Sequence, residues 1–120
     1  MAIPSRVLAA GNSPLSTISI NGDGAVGLVA TGTTAADALQ LSAVWNTVTT
    51  SSASTGLKLP PTEAGAVVGI RNDSGQTLTI YPFNTSSTIN AAAASVTLAT
   101  AKTMILFAPS ATTWASVTTA

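Results

Sequence analysis

The sequence predicts an all-β domain: a small antiparallel β-sandwich or barrel-like unit with an extended N-terminal arm. Three observations predict it. Turn signals recur about every ten residues, the spacing of short strands joined by tight connections. The segments between them are rich in Thr, Val, Ile and Leu, which suit a pleated, half-buried surface. Several of those segments alternate apolar with polar residues, the period of a strand with one covered face.

The turns come first, because they divide the chain. They fall at Gly11-Asn12-Ser13-Pro14, Asn21-Gly22-Asp23-Gly24, Thr31-Gly32, residues 51–56, Pro60-Pro61, Asn72-Asp73-Ser74-Gly75, residues 84–87 and Ala108-Pro109-Ser110. Residues 1–33 hold two strand candidates, 15–20 and 26–30, and read equally as an arm packed on a neighbour or as lead-in strands. Residues 34–120 are expected to form the β-domain. Within 33–48, Ala35, Ala36, Leu39, Ala43 and Val44 make a passable helical stripe. The β-branched density that follows, Trp45-Asn46-Thr47-Val48-Thr49-Thr50, favours strands instead, with Leu39 and Leu41 flanking Gln40.

Residues 66–71 and 77–83 bracket Asn72-Asp73-Ser74-Gly75-Gln76 and read as a hairpin. An Asn or Asp opens such a turn by bonding its own backbone, and Gly75 can take the positive φ that closes it. Val68 and Ile70 share one face of the first strand; Leu78 and Ile80 share one face of the second. Pro82 lacks an N–H and marks a strand end or an edge. Ala91 to Ala94 favours helix by propensity, but four residues cannot offset nucleation, so a turn is expected. Val96 and Leu98 alternate with Ser95 and Thr97. Residues 102–108 are apolar on both faces from Met104 onward and read as a central, doubly covered strand. Ile105 and Phe107 point opposite to Met104 and Leu106, so one pair belongs in the core and the other at a subunit contact. Trp114 begins a last strand over residues 113–118.

Composition narrows the chemistry. Charged residues are 7% of the 120, four basic against four acidic, with no His and no Cys. An ordinary domain has roughly a quarter of its residues charged. No imidazole base, thiol nucleophile, disulfide or cysteine-bound zinc is possible. Zero net charge argues against nucleic acid, whose phosphates call for surplus Lys and Arg. It also favours association, since near-neutral chains repel one another little. Much of the apolar 46% is Ala, and aromatics are only 4%. A core built from small residues leaves little margin over backbone entropy, and oligomerisation is a common remedy. The start, Met1-Ala2-Ile3-Pro4-Ser5-Arg6, lacks the basic and apolar regions of a secretion signal, so synthesis in a cytoplasm is expected. No run approaches the ~20 apolar residues of a membrane span.

No enzyme is indicated. A catalytic site would have to use Asp23, Asp37, Glu63, Asp73, Lys58, Lys102, Arg6, Arg71 or Tyr81, and all four carboxylates sit in turn material. No cofactor or metal is expected: Asn21-Gly22-Asp23-Gly24 has too few acidic oxygens for a calcium loop. Asn72-Asp73-Ser74 and Asn84-Thr85-Ser86 match the glycosylation sequon by chance. Trp45 and Tyr81 offer faces for a sugar ring, but core or interface packing is the favoured reading.

Several stretches together resemble a known group. They are Thr31-Gly32-Thr33-Thr34-Ala35-Ala36-Asp37-Ala38-Leu39-Gln40-Leu41, Trp45-Asn46-Thr47-Val48-Thr49-Thr50, Thr55-Gly56-Leu57-Lys58-Leu59-Pro60, the segment 67–83 with its Leu-Thr-Ile-Tyr-Pro core, Ser87-Thr88-Ile89-Asn90, and Phe107-Ala108 followed by Ala111-Thr112-Thr113-Trp114. With the opening Pro4-Ser5-Arg6-Val7-Leu8 and Gly11-Asn12-Ser13-Pro14-Leu15, they resemble the capsid decoration (cement) and head-fibre proteins of tailed bacteriophages. The resemblance implies a homotrimer on the outer surface of an icosahedral head, contacting the major capsid protein and stabilising the shell. The alternative is a tail-fibre or receptor-binding module that contacts host glycan, through loops such as 84–90 and 110–113. On the first reading, Ile3, Pro4, Arg6, Val7, Leu8 and Arg71 are the expected capsid contacts. Ile105, Phe107, Trp45 and Tyr81 are the expected oligomer contacts. Arg71 has a second reading, a local pair with Asp73.

Overall fold

A computed structural model describes residues 10, 11, 13, 14 and 22–120. Ten strands follow one another: β1 (Gly24–Val29), β2 (Leu39–Gln40), β3 (Trp45–Thr50), β4 (Gly56–Lys58), β5 (Val67–Asn72), β6 (Leu78–Tyr81), β7 (Thr88–Ile89), β8 (Val96–Leu98), β9 (Thr103–Phe107) and β10 (Thr113–Thr118). No residue from 22 to 120 is helical, so the all-β class holds. Residues 35–37 form a turn, as do 90–92.

The winding differs from the expected antiparallel sandwich or barrel. Strands are assigned to two sheets, one in the order β1-β3-β5-β9-β10-β7 and one in the order β2-β4-β6-β8. From β1 to β9 the chain alternates between them, so β1, β3 and β5 run parallel, as do β2, β4 and β6. Parallel neighbours cannot be joined by a hairpin; each crossover here is made through the opposite sheet. The result is a solenoid-like stack of three coils. Its register aligns Leu39 with Leu57 and Leu57 with Ile80, and Gly24 with Trp45 and Trp45 with Gly69. Successive coils are therefore offset by roughly twenty residues, the short end of the range of solenoid repeats. The stack ends where β8 and β9 run antiparallel to β6 and β5, occupying the places of a fourth coil.

The expected hairpin is corrected by the same topology. β5 pairs with β3 and β9, while β6 pairs with β4 and β8, so residues 72–77 turn the chain from one sheet into the other. Asn72 makes the corner. Fully buried, it donates through Nδ2 to the carbonyls of Gln76 (2.7 Å) and Leu98 (2.9 Å), and its Oδ1 accepts from the Ser74 amide (3.0 Å) and hydroxyl (2.7 Å). The turn chemistry read from the sequence is present, but it serves a corner.

The core lies between the sheets. Val48, Val68, Ile70, Met104, Leu106 and Trp114 come from the larger sheet, and Leu57, Leu78, Ile80 and Leu98 from the smaller. Leu41 and Leu59, just beyond β2 and β4, extend the second group. Each such side chain contributes about 1.5–3 kcal/mol when fully buried. Trp114 is the aromatic residue of that core, and its Nε1 donates to Thr62 Oγ1 at 2.9 Å.

Candidate interaction surface

The side of the larger sheet turned away from the core is the most unusual surface among the described residues. Strand parity assigns it. In β9, Met104 and Leu106 are buried, which sends Ile105 and Phe107 outward. Register then fixes their neighbours. Phe107 lies opposite Val67 of β5 and Ala115 of β10; Ile105 lies opposite Gly69 and Val117. Gly69 in turn pairs with Trp45 of β3. The face thus carries Trp45, Val67, Ile105, Phe107 and Val117, exposed by 39, 40, 42, 43 and 64%. Val26, at the irregularity of β1 beside β3, is 81% exposed. With so few aromatic residues in the chain, two of them on one exposed face is a large allocation.

The Trp45 ring is seated on Gly69. A Cβ at Gly69 would lie 2.1 Å from Trp45 Cε3, so any other residue there displaces the ring. The apolar rows end at a polar one, in which Thr47, Arg71 and Thr103 are aligned. Arg71 Nε donates to Asp73 Oδ1 at 2.7 Å, and its Nη1 donates to the Ala101 carbonyl at 3.0 Å. This is the local pair with Asp73 that the sequence offered as the second reading of Arg71.

Three of the four expected oligomer contacts, Trp45, Ile105 and Phe107, are therefore brought together. The fourth is not. Tyr81 belongs to the smaller sheet, where it is half-buried and its hydroxyl donates to the Thr33 carbonyl at 3.2 Å. Ile3, Pro4, Arg6, Val7 and Leu8 lie outside the described residues. Val67, Val117 and Val26 were not foreseen. Parity alone sends the first two outward on their strands, and register places them beside Ile105 and Phe107.

Two of the carboxylates accept hydrogen bonds from nearby loops. Asp37 Oδ1 accepts from the Thr34 hydroxyl (2.7 Å) and amide (2.8 Å), and these bonds hold its carboxyl below the usual carboxylate range. Asp23 Oδ1 accepts from the Val44 amide at 2.9 Å. Asn72, fully buried, presents no acceptor for a glycan at its sequon. Among the described residues no cluster of three metal-ligating side chains occurs, and no helix is long and apolar enough to cross a membrane. No family model matches the chain, and neither does any curated protein or solved structure.

Proposed function

We propose that this chain is a structural virion protein that binds the outside of a tailed-phage capsid as a homo-oligomer, a trimer, and stabilises the shell. The observation that carries the reading is the apolar outer face around Ile105 and Phe107, on a chain of zero net charge. An exposed, contiguous apolar face marks an interaction surface. A second copy is the occupant that fits it, because two uncharged copies meet without long-range repulsion. Rigid aromatic anchors such as Trp45 and Phe107 supply area at little entropic cost.

The long edge strand fits the same reading. Among the described residues, β1 is six residues long and forms one border of the larger sheet, whereas β7, at the other border, has two. An open edge of that length can accept an extended segment through main-chain hydrogen bonds. The partners on this reading are further copies of the chain and the major capsid protein, with no role for nucleic acid or membrane. Shell stabilisation of this kind calls for area and pairing and for no reactive group.

Light scattering on the purified protein is expected to give the mass of three chains; a stable monomer at micromolar concentration would remove the self-association. Imaging particles that carry the protein is expected to show density on the head. Density confined to the tail would reassign it to a fibre.

A further inference from the structure

We infer that a cleft on the smaller-sheet side, beside Tyr81, binds a neutral saccharide. It opens where β6 leaves its sheet, facing the turn around residues 92–95 and Ala35, and has a volume of about 360 Å³. That lies within the roughly 300–1,000 Å³ typical of small-molecule sites. The cleft is separate from the apolar face of the larger sheet, and the inference does not rest on the virion reading.

The lining selects the ligand by elimination. It contains no Lys, Arg, Asp or Glu, so neither an anion nor a cation finds a counter-charge. Pro82, Ala35 and Ala94 give it an apolar part, and Tyr81, Asn84, Thr85 and Ser95 stand among its polar lining residues. A purely apolar ligand covering the exposed Asn84, Thr85 and Ser95 would cut their polar groups off from water, at a cost of about 1–3 kcal/mol for each group left unpaired. A neutral sugar offers both halves, an apolar C–H face for the ring and alanines and hydroxyls for the polar groups.

The site is also prepared. Tyr81 is held from two sides: its hydroxyl donates to the Thr33 carbonyl, and its ring edge lies against Gly56, where a Cβ would come within 2.8 Å of Cε2. Asn84 Oδ1 accepts from the Ser86 amide at 3.0 Å, which fixes the loop and leaves the Nδ2 donors to the ligand. The hydroxyls of Thr85 and Ser95 make no hydrogen bond to another described residue and are exposed, so a ligand has only water to displace from them. Little ordering is left for binding to supply.

The test is a titration of the isotope-labelled full chain with galactose and with N-acetylglucosamine, followed by backbone amide NMR. Saturable shifts confined to residues around 81–95 and 35 are expected, with dissociation constants in the millimolar range. Ala94→Trp, which fills the cleft, is expected to abolish them without changing the unfolding temperature. Thr85→Ala with Ser95→Ala, which removes the two uncommitted hydroxyls, should weaken binding about tenfold, and decides the matter if the Trp variant misfolds. No saturable shift with either sugar would overturn the inference. So would shifts that survive both variants, or shifts centred on Ile105 and Phe107.

Discussion

Gly69 is buried although nothing in its side chain can be, because the Trp45 ring covers it. This one absent side chain lets a large aromatic lie flat on the sheet and join the Ile105 row. Gly69→Val is expected to lift the ring, increase quenching of Trp45 fluorescence by acrylamide and weaken association, at about 1–3 kcal/mol in stability. Trp114 remains buried and supplies the unquenched reference. Two buried asparagines make a second contrast. Asn72 has all its side-chain capacity used across the corner, whereas Asn46 donates to the carbonyls of Ala43 and Gly69 and its Oδ1 has no partner. Asn72→Ala removes the side-chain donor to the Leu98 carbonyl and the acceptor of the Ser74 amide, leaving the Gln76 carbonyl only its longer bond from the Ser74 hydroxyl. It is expected to cost about 3 kcal/mol in urea unfolding. Asn46→Ala should cost less, since one unsatisfied acceptor leaves with the side chain.

β9 shows how far an element can be read in isolation. Its apolar run Met104-Ile105-Leu106-Phe107 looked covered on both sides, and it does sit inside its sheet, between β5 and β10. Only one face is buried, with Met104 at 2% and Leu106 at 0% exposed against 42 and 43% for Ile105 and Phe107. An apolar run cannot say whether its second cover is the same chain or another one. The two pairs should therefore fail separately. Met104→Thr with Leu106→Thr is expected to lose several kcal/mol of stability and the fold with it, seen by circular dichroism. Ile105→Thr with Phe107→Thr should leave the unfolding transition of the subunit in place. It should weaken self-association by about 2 kcal/mol or more, roughly thirtyfold, in a dilution series by sedimentation. Loss of the fold in the outer pair would mean that this face is core.

At the scale of the whole molecule, the coil decides what the turns mean. The Asn-Asp-Ser-Gly signal is the same whether the chain folds back beside itself or crosses to another sheet. The choice depends on whether another strand can occupy the place beside β5, and β3 does, in parallel. A trace of the coil is in the sequence. Leu39-Gln40-Leu41, Leu57-Lys58-Leu59 and Ile80-Tyr81-Pro82 stack in register, and their outer members are half- or fully buried. The trace is short because each coil spends only two to four residues on the smaller sheet, and Pro82 in the third hides the pattern. The N-terminal prediction belongs at this scale as well. Deleting residues 1–13 is expected to abolish binding to capsids while circular dichroism keeps the β signature of the rest. Full head binding by the shortened chain would remove the anchor.

The sequence by itself determined the all-β class, the faces of β5, β6 and β8, and the last strand at Trp114, because alternation and turn chemistry are local. It also determined that no disulfide, thiol nucleophile or imidazole base is available, because the chain has no His and no Cys. Trp45, Ile105 and Phe107 were legible as aromatic or doubly apolar strand positions. Only the tertiary structure decided that they share one face, that Val67 and Val117 join them, and that Tyr81 stands apart in a neutral cleft. Those facts depend on which strand lies beside which. Register between strands distant in the chain is set by the packing of the whole core, and no window of the sequence contains it.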